Sequence, residues 1–367
     1  MKYLCCLVFG ICAGIALGQQ PTAEEFGSTR NARVAFAMPA GDQAERTQLT
    51  VLMGRLPPAQ IEAFERLAPN VRFISGLNRQ TALEHAGEAH GVAAHLLTPE
   101  FLEKSPKLVW VISFSAGVDR YVQLEGIDKE RIVMTNSRAV HGPAIADHVF
   151  AMLLMISRDL ATYARHQEQQ KWSDRPDDTE FRPFALQGKT MLVVGLGGIG
   201  SEVAKRADGF GMRVIAMRRS DAPSPAFVER VGKPQDLAAM LPEADVVTIC
   251  APLTKETEKL FNAELLAKVK RGAILINIAR GKIVDTDALL GALRSGVLAG
   301  ACLDVTDPEP LPSSHPLWKQ PRVVITPHVA ADSDLTDERE WGLVQENVRR
   351  FGAGEPLLNV VDVKSGY

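Results

Sequence analysis

The chain has 367 residues, a length that predicts two domains, because single domains run to roughly 100–200 residues. Hydrophobic residues make up 46% and charged residues 23% of the composition, which is ordinary for a globular protein with a sizeable core. The formal net charge of -3 favours neither a nucleic-acid partner nor an anionic membrane surface.

The first 18 residues predict an export signal. Lys2 precedes an uncharged apolar stretch from Tyr3 to Leu17, and the small residue Gly18 then leads into polar Gln19. This order is typical of a secretory signal peptide, whereas a membrane-spanning helix needs about 20 apolar residues. We therefore expect a periplasmic or secreted protein whose mature chain has no membrane span. The alternative is a buried helix or a misassigned start in a cytoplasmic protein.

The cysteines and histidines predict no metal site. Cys250 and Cys302 are the two cysteines beyond the N-terminal segment, and both lie in apolar, strand-like runs. Such residues are more typical of small core side chains than of a disulfide. No pair of close cysteines or histidines has the spacing of metal ligands, so we expect no structural zinc.

A strand–helix rhythm begins after a polar lead-in at residues 19–47. A double proline opens a predicted helix at Ala59–Leu67, since proline is tolerated in a first turn. Apolar runs predict strands at Leu49–Met53, Val71–Ile74, Gly91–Ala94 and Leu108–Phe114. Strands that alternate with helices indicate a parallel sheet covered on both faces.

A second strand–helix series follows a long predicted helix, Pro143–Tyr163, and a polar connection, Glu168–Pro183. Its predicted helices are Ile199–Gly209, Pro234–Met240, Ala263–Lys268 and Asp285–Gly296. Its predicted strands are Met191–Val194, Arg213–Met217, Val246–Ala251, Ala273–Ile278, Gly300–Val305 and Val323–Thr326. A series of this size is typical of a dinucleotide-binding domain.

The sharpest motif is the glycine turn that runs from Gly195 to Gly200 between a strand and a helix. Gly195 permits the tight turn, Gly197 lets the backbone approach a pyrophosphate, and Gly200 allows close packing of helix on strand. The amides of Gly198 and Ile199 open the helix, where the dipole favours phosphate. The alternative is a glycine-rich turn with no ligand.

The residues after the second strand of this series predict which dinucleotide binds. An NAD enzyme usually places an acid about 20 residues after the first glycine. Here Arg218, Arg219 and Ser220 stand at that place. Guanidinium groups can bind a 2′-phosphate bidentately, which an acid would repel. We therefore expect NADP, with NAD possible; a merely solvated loop is the alternative.

Three later segments each follow an apolar strand, at the edge of the sheet where open α/β folds bind ligands. They supply Arg280, Glu309 and His328. Arginine offers a fork for a carboxylate, and histidine can give a proton near neutral pH. A neighbouring carboxylate favours the protonated imidazole. Such a set suits the reduction of a 2-keto acid by a hydride.

These segments closely resemble the D-isomer-specific 2-hydroxyacid dehydrogenase family, which includes glyoxylate/hydroxypyruvate reductases, from about Leu49 to the C-terminus. The resemblance implies that Arg280 binds the substrate carboxylate and polarises the carbonyl. It implies that Glu309 pairs with His328, the acid/base, and that Asp304 contacts the nicotinamide carboxamide side. The expected reaction is hydride transfer between NAD(P)H and a small 2-keto or 2-hydroxy acid.

The same resemblance implies a substrate loop whose backbone amides cradle the carboxylate at Ser115, Ala116 and Gly117. It also implies a homodimer, through the long interdomain helix. We expect His141 and His148 to serve as helix-cap and domain-packing residues. Trp341, in the C-terminal segment, either edges the substrate pocket or packs between domains.

The expected fold class is α/β, with two Rossmann-like, doubly wound parallel-sheet domains. Residues 19–140 and 332–367 would form a discontinuous, flavodoxin-like substrate domain, and residues 141–331 the NAD(P)-binding domain. The alternative function is a cofactor-sensing, non-enzymatic binding protein of the kind found among related corepressors. Such a protein would tolerate loss of Arg280, Glu309 or His328, yet all three are intact.

Overall fold

The computed structural model describes residues 32–37, 48–128, 130–173 and 182–362. The signal-like segment 1–18 therefore lies outside the described residues. Within the described ranges, no helix has the length and apolar character needed to cross a membrane. The same ranges contain no group of three or more His, Cys, Asp or Glu side chains placed to hold a metal ion.

The first sheet has five parallel strands in the order β2-β1-β3-β4-β5, which is the flavodoxin-like order. The strands are β1 (Leu49–Leu52), β2 (Val71–Ile74), β3 (Gly91–Ala93), β4 (Trp110–Ile112) and β5 (Val133–Thr135). The sequence did not predict β5, because it has three residues and follows a charged segment. Parallel pairing with β4 completes the sheet at this position.

Four α-helices join the strands of this unit, and a side chain caps the start of the second and of the third. They are α1 (Pro58–Leu67), α2 (Arg79–Glu84), α3 (Pro99–Glu103) and α4 (Asp119–Val122). The Asn78 side chain accepts hydrogen bonds from the first turn of α2, and Thr98 accepts one at the start of α3. These short helices connect successive parallel strands, so the carboxyl ends of the strands share one edge.

The long helix predicted as Pro143–Tyr163 is instead two helices, α5 (Gly142–Ser157) and α6 (Leu160–Glu168). The single-helix prediction was wrong because Asp159 takes a left-handed conformation with φ 53°. The Ser157 carbonyl, which would continue the helix, accepts a hydrogen bond from the Phe184 amide at 3.0 Å. A tertiary contact across the polar connection therefore ends α5.

The second sheet has seven parallel strands in the order β12-β11-β10-β9-β6-β7-β8. They are β6 (Thr190–Val194), β7 (Arg213–Met217), β8 (Arg230–Gly232), β9 (Val246–Ile249), β10 (Ala273–Asn277), β11 (Leu298–Leu303) and β12 (Val323–Ile325). The chain order reverses between β6 and β9, which is the switch point of a Rossmann sheet. The sequence missed β8, a short edge strand with no fully buried residue.

The connections in this unit are α7 (Gly198–Gly209), α8 (Leu237–Met240), α9 (Ala263–Leu266) and α10 (Thr286–Arg294). The last helix, α11 (Asp334–Ala353), returns to the first sheet. Val344, Val348 and Phe351 of α11 share the buried core of that sheet, and the rings of Phe351 and Trp110 lie 4.7 Å apart. Helix α5 instead packs into the core of the second sheet.

Candidate active site

The glycine turn occupies the switch point of the second sheet. Gly195 has φ +106°, a conformation that a residue with a side chain rarely adopts. A Cβ atom there would lie 2.6 Å from the amide nitrogen of Ala251, two residues after β9. The Gly195 amide donates to the Met217 carbonyl at 2.9 Å, so the turn also touches the end of β7. Three strand ends therefore fix its shape.

The next glycines differ in what surrounds them. A Cβ atom on Gly200 would lie 2.0 Å from the Gly195 carbonyl oxygen, so Gly200 permits close packing of helix on turn. A Cβ atom on Gly197 would meet no heavy atom of the described chain within 4 Å. Gly197 is the N-cap of α7, a helix of 12 residues whose first amides have no acceptor within the helix. A helix start of this kind suits a pyrophosphate, and the expected contacts at Gly197, Gly198 and Ile199 stay a prediction.

The predicted 2′-phosphate ligands directly follow β7. The Arg218 amide donates to the Gly232 carbonyl at 3.1 Å, which places this loop against β8. The Nε atom of Arg218 is buried and has no hydrogen-bond partner among the residues that the structure describes. Arg219 is exposed, and Ser220 is half-buried. An unpaired buried guanidinium nitrogen is costly, and an anion at this place would satisfy it.

His328 and Glu309 form a direct pair. The Nδ1 atom of His328 lies 2.8 Å from Oε1 of Glu309, and their side chains are 45% and 44% exposed. Glu309 follows β11 and His328 follows β12, which are neighbours in the sheet. The carboxylate holds the ring through Nδ1, and Nε2 is not used in this pair.

Asp304 holds the loop that carries His328. Its buried carboxylate accepts hydrogen bonds from the Thr326 hydroxyl at 2.6 Å and from the amides of Val329 at 3.0 Å and Ala330 at 3.1 Å. Its carbonyl accepts the His328 amide at 2.8 Å. These bonds maintain His328 at a φ of 57°, a left-handed conformation that costs energy in a residue with a side chain. The nicotinamide contact expected of Asp304 stays a prediction.

His141 and His148 join different elements. His148 Nε2 on α5 lies 2.9 Å from the Thr326 hydroxyl and 3.7 Å from Oδ1 of Asp304, so His148 touches the Asp304 network. His141, directly before α5, lies 3.6 Å from Oε1 of Glu340 on α11. Neither partner could be predicted from the sequence, because both contacts link residues that are remote along the chain.

Arg280 reaches across to the first sheet. Its Nε and Nη2 atoms donate to Oδ1 of Asp119 at 3.3 and 3.1 Å, and a Cβ atom on Gly117 would lie 1.6 Å from Nη2. The guanidinium thus rests against the predicted substrate loop. The sequence did not predict the pairing of Asp119 with Arg280. The position of Asp119, two residues after Gly117, was the available signal.

The substrate loop is tied down through its carbonyls. The Asn136 side chain donates to the Ala116 carbonyl at 2.7 Å, and the Ser137 amide donates to the Ser115 carbonyl at 3.3 Å. The Ser115 amide donates a hydrogen bond within the loop, to Ser113 Oγ at 3.2 Å. The amides of Ala116 and Gly117 have no hydrogen-bond acceptor in the described part of the chain, so they are available to a ligand.

The structure also shows the surroundings of Trp341, Cys250 and Cys302. The indole of Trp341 lies 5.7 Å from the ring of Phe114 and 6.3 Å from that of Phe64, so it packs on the first unit beside the substrate loop. Cys250 and Cys302 are free thiols rather than a disulfide. Burial raises the pKa of the Cys250 thiol to about 12, so this thiol stays protonated at neutral pH.

Similarity to known proteins decides the family. Residues 150–330 match the model of the D-isomer specific 2-hydroxyacid dehydrogenase, NAD binding domain. A glyoxylate reductase of Korarchaeum cryptofilum is 35% identical over 291 residues, which cover 78% of this chain and 86% of that relative. The chain belongs to the D-isomer-specific 2-hydroxyacid dehydrogenase family.

Solved structures of the family share the fold. A member from Aeromonas salmonicida superimposes with a TM-score of 0.73 at 35% identity, over 86% of this chain and 99% of that one. An NADPH-dependent glyoxylate/hydroxypyruvate reductase of Sinorhizobium meliloti, solved with NADP and sulfate, gives 0.71 at 28% identity, over 87% and 100%. The predicted family, α/β fold and enzyme class are confirmed: the chain is an NAD(P)-dependent 2-hydroxyacid oxidoreductase.

Proposed function

We propose that this enzyme uses NADPH to reduce a small 2-keto acid such as glyoxylate or hydroxypyruvate. The observation that carries the proposal is the His328–Glu309 pair at 2.8 Å, at the carboxyl ends of β11 and β12. Arg280 follows the adjacent strand β10, and the glycine turn follows β6 at the same edge of the sheet. A cation, a proton donor and a dinucleotide site therefore share one edge.

Each side chain has a distinct task in this proposal. Arg280, with the amides of Ala116 and Gly117, binds the substrate carboxylate and orients the keto group. His328 gives a proton from Nε2 to the carbonyl oxygen, while Glu309 holds Nδ1 and balances the charge of the imidazolium. The nicotinamide, when bound, supplies the hydride to the carbonyl carbon. Together these steps convert a keto acid to its 2-hydroxy acid.

The choice of NADPH is supported by the loop after β7. Arg218 and Arg219 stand where an acid would repel a 2′-phosphate, and the buried Nε of Arg218 lacks a partner among the described residues. The relative from Sinorhizobium meliloti was solved with NADP. The choice of substrate is supported by the relatives that are named glyoxylate reductase.

Three expectations from the sequence stay predictions beside this proposal. The first is the division of the chain into a substrate domain, residues 19–140 with 332–367, and a cofactor domain, residues 141–331. The other two are assembly as a homodimer and export directed by residues 1–18. Sedimentation of the purified protein would test the homodimer, and N-terminal sequencing of protein from the producing cell would test the export signal.

The test of the activity is turnover measured as loss of NADPH absorbance, with glyoxylate, hydroxypyruvate and pyruvate, each also with NADH. We expect turnover with NADPH that Arg280→Lys lowers by about 100-fold, because lysine lacks the fork geometry. Arg271→Lys is the matched control, since Arg271 lies before β10 at the opposite edge and donates to the Ser295 carbonyl. Clear NADPH binding without turnover on any of these acids would instead favour the cofactor-sensing protein.

A further inference from the structure

A lysine that no sequence motif singled out holds the loop of the predicted 2′-phosphate ligands. Lys233 directly follows β8, next to β7 in the sheet. Its ammonium donates to the carbonyl of Arg219 at 3.0 Å and to the carbonyl of Ser220 at 3.4 Å. Lys233 therefore fixes the backbone from which the side chains of Arg219 and Ser220 project.

The same ammonium is paired with an anion of the chain itself. Lys233 Nζ contacts Oδ1 of Asp221, whose side chain is 92% exposed, against 37% for Lys233. The hydrogen bond from Lys233 lowers the pKa of the Asp221 carboxyl, and the charge of Arg218 contributes in the same direction. A carboxylate thus stays ionised among cations, at the place where the phosphate of a cofactor is expected.

A separate observation indicates that the cluster formed by Arg218, Asp221 and Lys233 binds a ligand. The Nε atom of Arg218 is buried and has no acceptor anywhere in the described part of the chain. Leaving a buried charged donor unpaired is costly, and Asp221, on the solvent side of the cluster, does not supply the acceptor. A larger anion with several oxygens would satisfy Arg218 and Lys233 together.

We propose that Lys233 determines cofactor specificity by exchanging the Asp221 carboxylate for the adenosine 2′-phosphate. The inference rests on the proposed use of NADPH. An exposed lysine–aspartate pair contributes little, so its release costs little. A phosphate carries a charge of about -1.5 to -2 and three acceptor oxygens, so it outcompetes a single carboxylate. When no cofactor is bound, Asp221 takes the place of the phosphate on Lys233 and so maintains the conformation of the loop.

The test is calorimetric binding of adenosine 2′,5′-bisphosphate and of 5′-AMP, which lacks the 2′-phosphate, to the full-length protein. Lys233→Met is expected to weaken binding of the bisphosphate by about tenfold and to leave 5′-AMP within about twofold, since one charge-assisted contact is lost. Lys268→Met is the matched control, because Lys268 is similarly exposed and pairs with exposed Glu264. That control should change neither affinity.

A second variant keeps the test independent of any folding defect in Lys233→Met. Asp221→Asn removes the charge of the carboxylate that competes with the phosphate, and it leaves the backbone contacts of Lys233 in place. Binding of the bisphosphate should therefore tighten by about two- to fivefold. Unchanged or weaker binding in Asp221→Asn would contradict the exchange. A wild type that prefers the bisphosphate, with a ratio unaltered in Lys233→Met, would overturn the role of Lys233 alone. A wild type that binds both nucleotides equally would overturn the NADPH preference itself.

Discussion

Gly117→Ala should disable Arg280 without touching the cofactor site. The new methyl group would lie 1.6 Å from Nη2 and 2.7 Å from Cζ of Arg280. Ordinary contacts are about 3.5–4.0 Å, so the guanidinium must move by about 2 Å. It is the far end of a flexible side chain and is 30% exposed, so it can move without unfolding the protein. The movement breaks its contact with Asp119 and takes the cation away from the substrate loop.

The expected loss follows from that displacement. A misplacement of about 1 Å can cost roughly 100-fold in rate, so we expect kcat/KM to fall by at least about 100-fold, or about 2.7 kcal/mol. The effect should divide between KM and kcat, because Arg280 both binds the carboxylate and polarises the carbonyl. The midpoint of thermal unfolding should stay within about 2 °C of wild type, since Gly117 has no positive φ that alanine would strain.

The assay is NADPH oxidation with glyoxylate, alongside a measurement of NADPH affinity, which should not change. Gly209→Ala is the matched control, because a Cβ atom there would meet no heavy atom of the described residues within 4 Å and Gly209 is the last residue of α7. A Gly117→Ala enzyme with kcat/KM within about twofold of wild type would refute the argument. It would mean that Arg280 does not act from the position it occupies against the loop.

Four other substitutions probe the cofactor turn and the histidine pair. Gly197→Ala should keep its fold yet weaken NADPH binding by about tenfold or more, measured by NADPH fluorescence, because its methyl group fills the open cradle. Gly200→Ala should instead lower stability, measured by urea unfolding, by about 2–3 kcal/mol, since its methyl group meets the Gly195 carbonyl at 2.0 Å. Glu309→Gln should lower kcat by about 100-fold with a small change in KM, because His328 loses its charged partner at 2.8 Å; an unchanged kcat would remove Glu309 from the mechanism. Asp304→Asn should cost about 1–3 kcal/mol in urea unfolding, because a buried amide cannot accept all the hydrogen bonds of the carboxylate; a wild-type midpoint would contradict that account.

The sequence predicts the features that depend on residue type and on spacing along the chain. Gly195 and Gly200 stand where the backbone must turn sharply or pack closely, and both needs are visible as glycines at fixed spacing after an apolar strand. Arg280, Glu309 and His328 each follow a strand-like run, so parallel topology predicts that they gather at one edge of the sheet. The order of the elements likewise predicts the fold class, because it depends on periodicity along the chain.

The tertiary structure decided what depends on residues distant in sequence. Strand β8 and the break after α5 are set by neighbouring elements, the sheet edge for one and Phe184 for the other. Arg280 meets Asp119 across 161 positions of chain, and Lys233 meets the arginine loop only because β7 and β8 pair. The physical reason is the same in each case. A side chain's type shows which bonds it can form, while the packing of other elements determines which partner lies within reach.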